Sequence, residues 1–167
     1  MKPEVTMSRR NFVTRLFGAA AIPVIAGVAP AQGAPVPRIT RIEKTDAEWK
    51  QILTPEQFAV LRNEGTERPF TSPLNNEKRK GTFHCSACDL PVYTSEMKFD
   101  SGTGWPSFFT TLPGAFESKT DYKFIYPRTE YHCAQCGGHH GHVFNDGPKP
   151  TGQRWCNNGV ALKFKPA

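Results

Sequence analysis

Two Cys-x-x-Cys pairs constrain this chain more than anything else in it. Cys85-Ser86-Ala87-Cys88 and Cys133-Ala134-Gln135-Cys136 have identical internal spacing and are separated by 44 residues. Two thiolates so spaced can turn toward one ion, and two such knuckles complete a tetrahedral four-sulfur shell. A filled shell keeps no position open for substrate, so the zinc it implies is structural. Two other readings compete. A redox Cys-x-x-Cys belongs beside a βαβ pattern, which neither pair has. Two disulfides are the other, and an exported protein permits them. Duplicated pairs of equal spacing favour zinc over both.

Export is what the first residues suggest. Ser8-Arg9-Arg10-Asn11-Phe12 sets twin arginines ahead of an uncharged apolar stretch, residues 16–29. Ala29-Pro30-Ala31 then offers a small-x-small cleavage pattern before Gln32. This resembles a twin-arginine signal peptide over residues 1–31, cleaved on export to the periplasm or an equivalent compartment. That route carries folded, metal-loaded proteins, so zinc can be bound before the thiols meet an oxidising environment. The apolar stretch is too short and interrupted for a membrane span. The formal net charge is +6. Cleavage would remove Lys2, Arg9, Arg10, Arg15 and Glu4 and leave +3, which is poor evidence for a nucleic-acid partner.

Residues 32–44 read as a Pro- and Ala-rich linker, and residues 45–167 as one domain. Thr45-x-x-Glu48 is a capping box that opens a short helix through Trp49, Ile52 and Leu53. Thr54-Pro55-Glu56-Gln57 opens a second, running to about Asn63 with Gly65 as its left-handed stop. Beyond Pro69 the spacing predicts short strands over 82–85, 91–94, 107–110, 122–126, 130–133, 142–144 and 160–164. Fifteen prolines and fourteen glycines also argue against a long-helix bundle. The expected class is mainly β (α+β): antiparallel sheets behind short N-terminal helices, with a four-cysteine structural zinc site.

The fifth cysteine is the odd one. Cys156 lies in Gln153-Arg154-Trp155-Cys156-Asn157-Asn158, outside both pairs. It could be a small buried hydrophobe. A thiol not needed for metal is also a candidate nucleophile, and Arg154 with the upstream histidines supplies surroundings that favour a thiolate. Those histidines are His139, His140 and His142; His84 and His132, beside the zinc cysteines, read as incidental. The run Asp100-Ser101-Gly102-Thr103-Gly104-Trp105-Pro106-Ser107-Phe108 is either a Gly-rich turn feeding core aromatics or an aromatic wall for a methyl or thioether.

GTExPF at 65–70, the first Cys-x-x-Cys, DSGxGWPSF at 100–108, the second Cys-x-x-Cys, GHVFxDGPxPTGxRWC at 141–156 and ALKF at 161–164 occur in this order. Together, over residues 49–164, they resemble the zinc-containing B family of peptide-methionine sulfoxide reductases, selective for the R epimer. The resemblance implies a fold of two antiparallel sheets. It implies Cys156 as catalytic cysteine, Trp105 against the substrate methyl, His139, His142 and Asn158 as polar active-site groups, and Phe144 and Arg154 as supporting ones. The implied reaction is attack of the Cys156 thiolate on a sulfoxide sulfur, leaving a sulfenic acid. The acid that protonates the oxygen would be His142 or His139. Many relatives carry a resolving cysteine where this chain has Thr103. An external thiol, such as that of a thioredoxin-like protein, is therefore expected to reduce Cys156 in a one-cysteine cycle. His140, where leucine is common, and Gly159, where serine is, are smaller departures. Partners would be oxidised proteins or peptides, with the chain a monomer. Two other functions compete: a non-enzymatic zinc-ribbon binding module and a thiol–disulfide oxidoreductase.

Overall fold

The computed structural model describes residues 39–167, save Phe124. The twin-arginine segment and most of the linker lie outside the described residues. The linker's last part is anchored to the domain: Ile42 N–H donates to Gln135 C=O, and Arg41 reaches Glu117 and Ala134 C=O.

Both helices form where their caps demand. α1 (Asp46–Ile52) and α2 (Pro55–Leu61) each carry a reciprocal capping box, Thr45 with Glu48 and Thr54 with Gln57. They bury Trp49, Phe58, Val60 and Leu61. The helix stop differs from expectation. Glu64, at φ 53°, takes the left-handed turn, and Gly65 follows it. Gly65 is needed for closeness instead: its N–H donates to Ala59 C=O, and a Cβ there would lie 2.8 Å from that oxygen.

Among the described residues nine strands make two antiparallel sheets. The smaller is ordered β2 (Pro91–Thr94), β1 (Gly81–Cys85), β9 (Leu162–Pro166). The larger is ordered β3 (Lys98–Phe99), β4 (Ser107–Phe108), β8 (Arg154–Asn157), β7 (His139–Phe144), β6 (Arg128–Cys133), β5 (Phe116–Asp121). Between them the core stacks Tyr93 on Phe108 at 3.8 Å, with Phe83 edge-on to Phe108 at 5.0 Å. The expected mainly-β class with two antiparallel sheets is what forms.

One expected strand is absent. Residues 122–126 alternate in sequence, yet Tyr122, Ile125 and Tyr126 are 77%, 93% and 78% exposed in the connection between β5 and β6. The Asp121 carboxylate accepts the Lys123 N–H at 2.8 Å, an Asx-type turn that ends β5 just before the alternation starts. The actual strand, Phe116-Glu-Ser-Lys-Thr-Asp121, is a polar sheet edge without alternation. Strands β3 and β8 were likewise not foreseen. The segment 160–164 begins as a 3-10 turn, Gly159–Ala161, before joining β9.

Candidate active site and metal centre

Register in the larger sheet assembles the first site. Ser107 of β4 faces Cys156 of β8, which faces His142 of β7, which faces Glu130 of β6, which faces Lys119 of β5. Directly opposed residues share a face, so these five side chains form one row across the sheet. Arg154, two positions before Cys156, joins the same face. Its guanidinium lies over Phe144 at 4.3 Å and takes both Asp146 carboxylate oxygens, at 2.8 and 2.9 Å. Gly141 lets the two central strands close up: a Cβ there would stand 1.9 Å from Cys156 C=O.

A bulge puts a second histidine on that face. His132 pairs with His139, but Tyr131 pairs with Gly141, so β7 carries one extra residue. His139 and His142 therefore share a face despite their three-residue spacing, while His140 turns into the core. His142 is the direct neighbour of Cys156. His139 lies behind it, rings 5.6 Å apart, with Nδ1 2.5 Å from the Glu130 carboxylate.

Above the row is a small cavity of about 120 Å³, lined by Trp105, Phe144, His142, Cys156, Asn158, Thr66 and Arg128 among others. His139 is not on its wall. Glu67, in the GTE run, holds the far side. Its C=O accepts the Trp105 indole N–H at 3.1 Å and its N–H donates to Asn158 Oδ1 at 3.0 Å. Its carboxylate takes the Gly159 and Val160 N–H groups. Gly159 is fitted to this brace, since a Cβ there would meet Ser72 Oγ at 1.9 Å.

Electrostatics divide the ionisable groups. Burial pushes the Cys156 thiol up, and Arg154 and a Thr103 hydrogen bond only partly counter it. Arg154 thus favours the thiolate, as the sequence leads one to expect, while it is also paired with Asp146, and burial works against it. Burial also drives His139 down to about 4 despite Glu130, so it is neutral at pH 7. Its Nε2 is buried without a hydrogen-bond partner. The Lys123 N–H, His142 and Arg128 hold Asp121 well below the usual carboxylate range, and Asp121 lies 2.9 Å from His142 Nε2.

The four paired cysteines meet elsewhere, between the ends of β1 and β6. Both knuckles are built alike. Cys85 and Cys133 each accept at C=O the N–H of the residue four positions on, Asp89 and Gly137, and those two residues are left-handed at φ 66° and 69°. The four sulfurs lie within 4.8 Å of one another, with Cys85–Cys136 at 3.6 Å and Cys88–Cys133 at 3.5 Å. Disulfides need about 2.05 Å, whereas sulfurs around a tetrahedral ion at about 2.3 Å stand roughly 3.8 Å apart. The cluster can therefore hold a metal ion. His140 Nε2, 3.3 Å from Cys85 Sγ, and His140 Nδ1, 3.1 Å from Asn157 Oδ1, connect this centre to β8.

Glu130, His132 and His139 also offer three ligand atoms within 4.8 Å. Lys119, 3.4 Å from Glu130, already supplies the positive charge there. His132, read from sequence as incidental, bonds Glu130 at 3.0 Å. Sequence reasoning also missed Glu67, Asp121, Glu130 and Asp146. Only Glu67 and Asp146 lie inside motifs that could have flagged them.

A SelR domain is matched over residues 53–166. The peptide methionine sulfoxide reductase MsrB of Agrobacterium fabrum is 52% identical over 127 residues, covering 75% of this chain and 94% of that protein. That of Pseudomonas putida strain W619 is 54% identical over 127 residues, covering 75% and 96%. The chloroplastic peptide methionine sulfoxide reductase B1 of rice is 49% identical over 122 residues, covering 72% and 57%.

Proposed function

The chain belongs to the SelR family, and from that premise and the Cys156 cavity we propose how it acts as a peptide-methionine (R)-S-oxide reductase. One observation carries the reading: a lone thiol faces an imidazole across a strand pair, in a small cavity walled by Trp105 and Phe144. The substrate methyl packs on Trp105, and the S–O dipole points to His142, which Asp121 orients. Cys156 attacks as the thiolate, its proton held on His142, and as its sulfur bonds the sulfoxide sulfur that proton passes to the departing oxygen. His139, neutral and bonded to Glu130, is a second acid–base group behind His142. The hydroxyl ends on Cys156 as a sulfenic acid, and the thioether leaves. One external thiol then displaces water to form a mixed disulfide, and a second releases Cys156 as thiol. Thr103 cannot act as a resolving thiol, and the other four cysteines are gathered in the cluster.

Cys85, Cys88, Cys133 and Cys136 would hold a structural zinc ion, which crosslinks β1 to β6 and offers no open coordination position. Export rests on the twin-arginine segment at residues 1–31, and a periplasmic site would place the enzyme where a thioredoxin-like donor must reach it. Substrates are oxidised proteins or peptides. A monomer is proposed, without a nucleic-acid role.

The test is turnover of both epimers of a peptide methionine sulfoxide by wild type and Cys156→Ser. The R epimer alone should be consumed, and the variant should lose about 10³-fold or more in kcat. Undiminished R-epimer turnover by Cys156→Ser would sink the reading.

A further inference from the structure

Among the described residues five large apolar side chains stand exposed: Ile52, Phe70, Tyr122, Ile125 and Tyr126. All but Ile52 lie on two segments that meet the Cys156 cavity. The first is the connection from β5 to β6, whose alternating residues 122–126 form no strand. Both of its ends are tied to the cavity. Asp121 Oδ2 lies 2.9 Å from His142 Nε2 and accepts from Arg128 Nη2 at 2.7 Å, and His142 and Arg128 line the cavity. Lys123, the only charged residue of 122–126, is paired with Glu64, which leaves the tip apolar. The second segment is Phe70, the end of the GTExPF run. Its N–H donates to Gly104 C=O at 2.7 Å, and Asn75 Nδ2 donates to the same oxygen at 2.9 Å. Gly104 is glycine for closeness, since a Cβ there would stand 2.9 Å from the Phe70 ring. Phe70 sits at φ 65°, a left-handed backbone that a bulky side chain rarely takes, and is nevertheless 73% exposed. Phe70, Gly104 and Trp105 line a second hollow of about 360 Å³, and Trp105 also walls the Cys156 cavity.

We propose that Phe70 and the 122–126 tip are a docking surface for the polypeptide that carries the methionine sulfoxide, an unfolded stretch with apolar side chains flanking the oxidised residue. This rests on the reductase reading of the Cys156 cavity. The cavity, at about 120 Å³, takes one side chain, so the chain bearing that side chain must lie across the rim. The exposed side chains stand beside that rim, Phe70 at the Trp105 wall and the tip at the Arg128 wall. Methionine is among the residues most often buried in folded proteins, so a methionine sulfoxide laid open by unfolding brings apolar neighbours with it. The sulfoxide itself is polar. The apolar surface outside the cavity therefore reads the flanks and not the oxidised side chain. An apolar patch kept in water at the mouth of a site is what marks a binding surface. Burying it against substrate lowers KM and leaves the groups that move protons untouched.

The test is anisotropy titration of short labelled peptides, each with one methionine-R-sulfoxide flanked by leucines or by serines, on the metal-loaded full chain carrying Cys156→Ser. It reads docking without turnover. The leucine-flanked peptide should bind at least about tenfold more tightly, the worth of burying about one large apolar side chain. Tyr122→Ser, Ile125→Ser and Tyr126→Ser together should cut that preference to about twofold. Phe70→Asn, which suits the left-handed backbone, should lower it about threefold. With Cys156 intact, both variants should turn over a blocked single-residue methionine-R-sulfoxide, which has no flanks, within about twofold of wild type. A wild type inactive on that substrate would undo the reductase reading without moving the titration. Equal binding of the two peptides, or variants that keep the full preference, would overturn the docking surface. So would variants that slow the single-residue substrate as much as the leucine-flanked peptide, which would make both segments part of the cavity's packing. A tip whose loss slows only the reduction of oxidised Cys156 by a protein thiol would overturn it too, and would give the surface to the thiol donor.

Discussion

The protein holds its sulfur in two ways. In the cluster, four thiols stand where two short loops place them, each loop repeating the same hydrogen bond and the same left-handed residue. At Cys156 a single thiol stands on a central strand, and its neighbours arrive by register from β4 and β7. Each half of the first arrangement is local and the two are built alike: Asp89 and Gly137 do the same job in different loops. The second is non-local, and nothing within five residues of Cys156 supplies His142, Trp105 or Ser107. Each half of the four-cysteine cluster is thus shaped by its own turn and the fold has only to bring two halves together, whereas Cys156 takes every neighbour from the folded sheet.

The largest expected effect is a double dissociation between the two. Cys133→Ser removes one of the four thiols of the proposed zinc site, and zinc binding contributes on the order of 10 kcal/mol to folding in small structural sites. Bound metal should fall from one equivalent toward zero, and the thermal midpoint should drop by at least about 10 °C. Cys156→Ser should keep its metal and its midpoint. Elemental analysis with calorimetry on both variants decides this. A Cys133→Ser protein that unfolds with the wild type would show that the cluster is dispensable, and the contrast would collapse.

That asymmetry also explains what the sequence made legible. Caps and knuckles come from residues a few positions apart, so Thr45 with Glu48, Thr54 with Gln57 and both Cys-x-x-Cys pairs announced themselves, and the matching spacing of the two pairs pointed to the cluster. Strand β8 did not, because Arg-Trp-Cys-Asn has no alternation and is a strand only by virtue of ladders on both sides. Residues 122–126 made the opposite error, since their alternation meets no partner strand. The bulge that brings His139 and His142 to one face has no local signature, and neither does the pairing of Asp121 with His142 across 21 residues.

An intermediate effect should appear where the reactive site depends on such a long-range partner. Asp121→Asn leaves a hydrogen-bonding side chain but removes the charge that orients His142 and pairs with Arg128. kcat for R-sulfoxide should fall about 10- to 100-fold with KM changed far less, because proton delivery suffers and the cavity walls remain. The alkylation rate of Cys156 should barely change. A variant that loses both equally would make Asp121 a packing residue.

The smallest effect tests a side chain that joins the cluster to the strand of Cys156. His140 is fully buried between Cys85 and Asn157, and burial drives it down to about 4. The unfolded chain, near 6.5, takes up this proton first as pH falls. A base depressed in the native state contributes stability at neutral pH that is lost as pH drops from about 6.5 toward 4. Between pH 7 and pH 5.5 that loss is about 1 kcal/mol for this one group. Denaturant midpoints for wild type and His140→Leu at the two pH values isolate it, because packing changes in the variant cancel in the double difference. The wild type should lose about 1 kcal/mol more than the variant on acidification. Equal losses would overturn this, and a smaller loss in the wild type than in the variant would mean that the native His140 already carries a second proton, held against the negative sulfur of Cys85. The metal centre and the strand of Cys156 would then be coupled by charge as well as by contact.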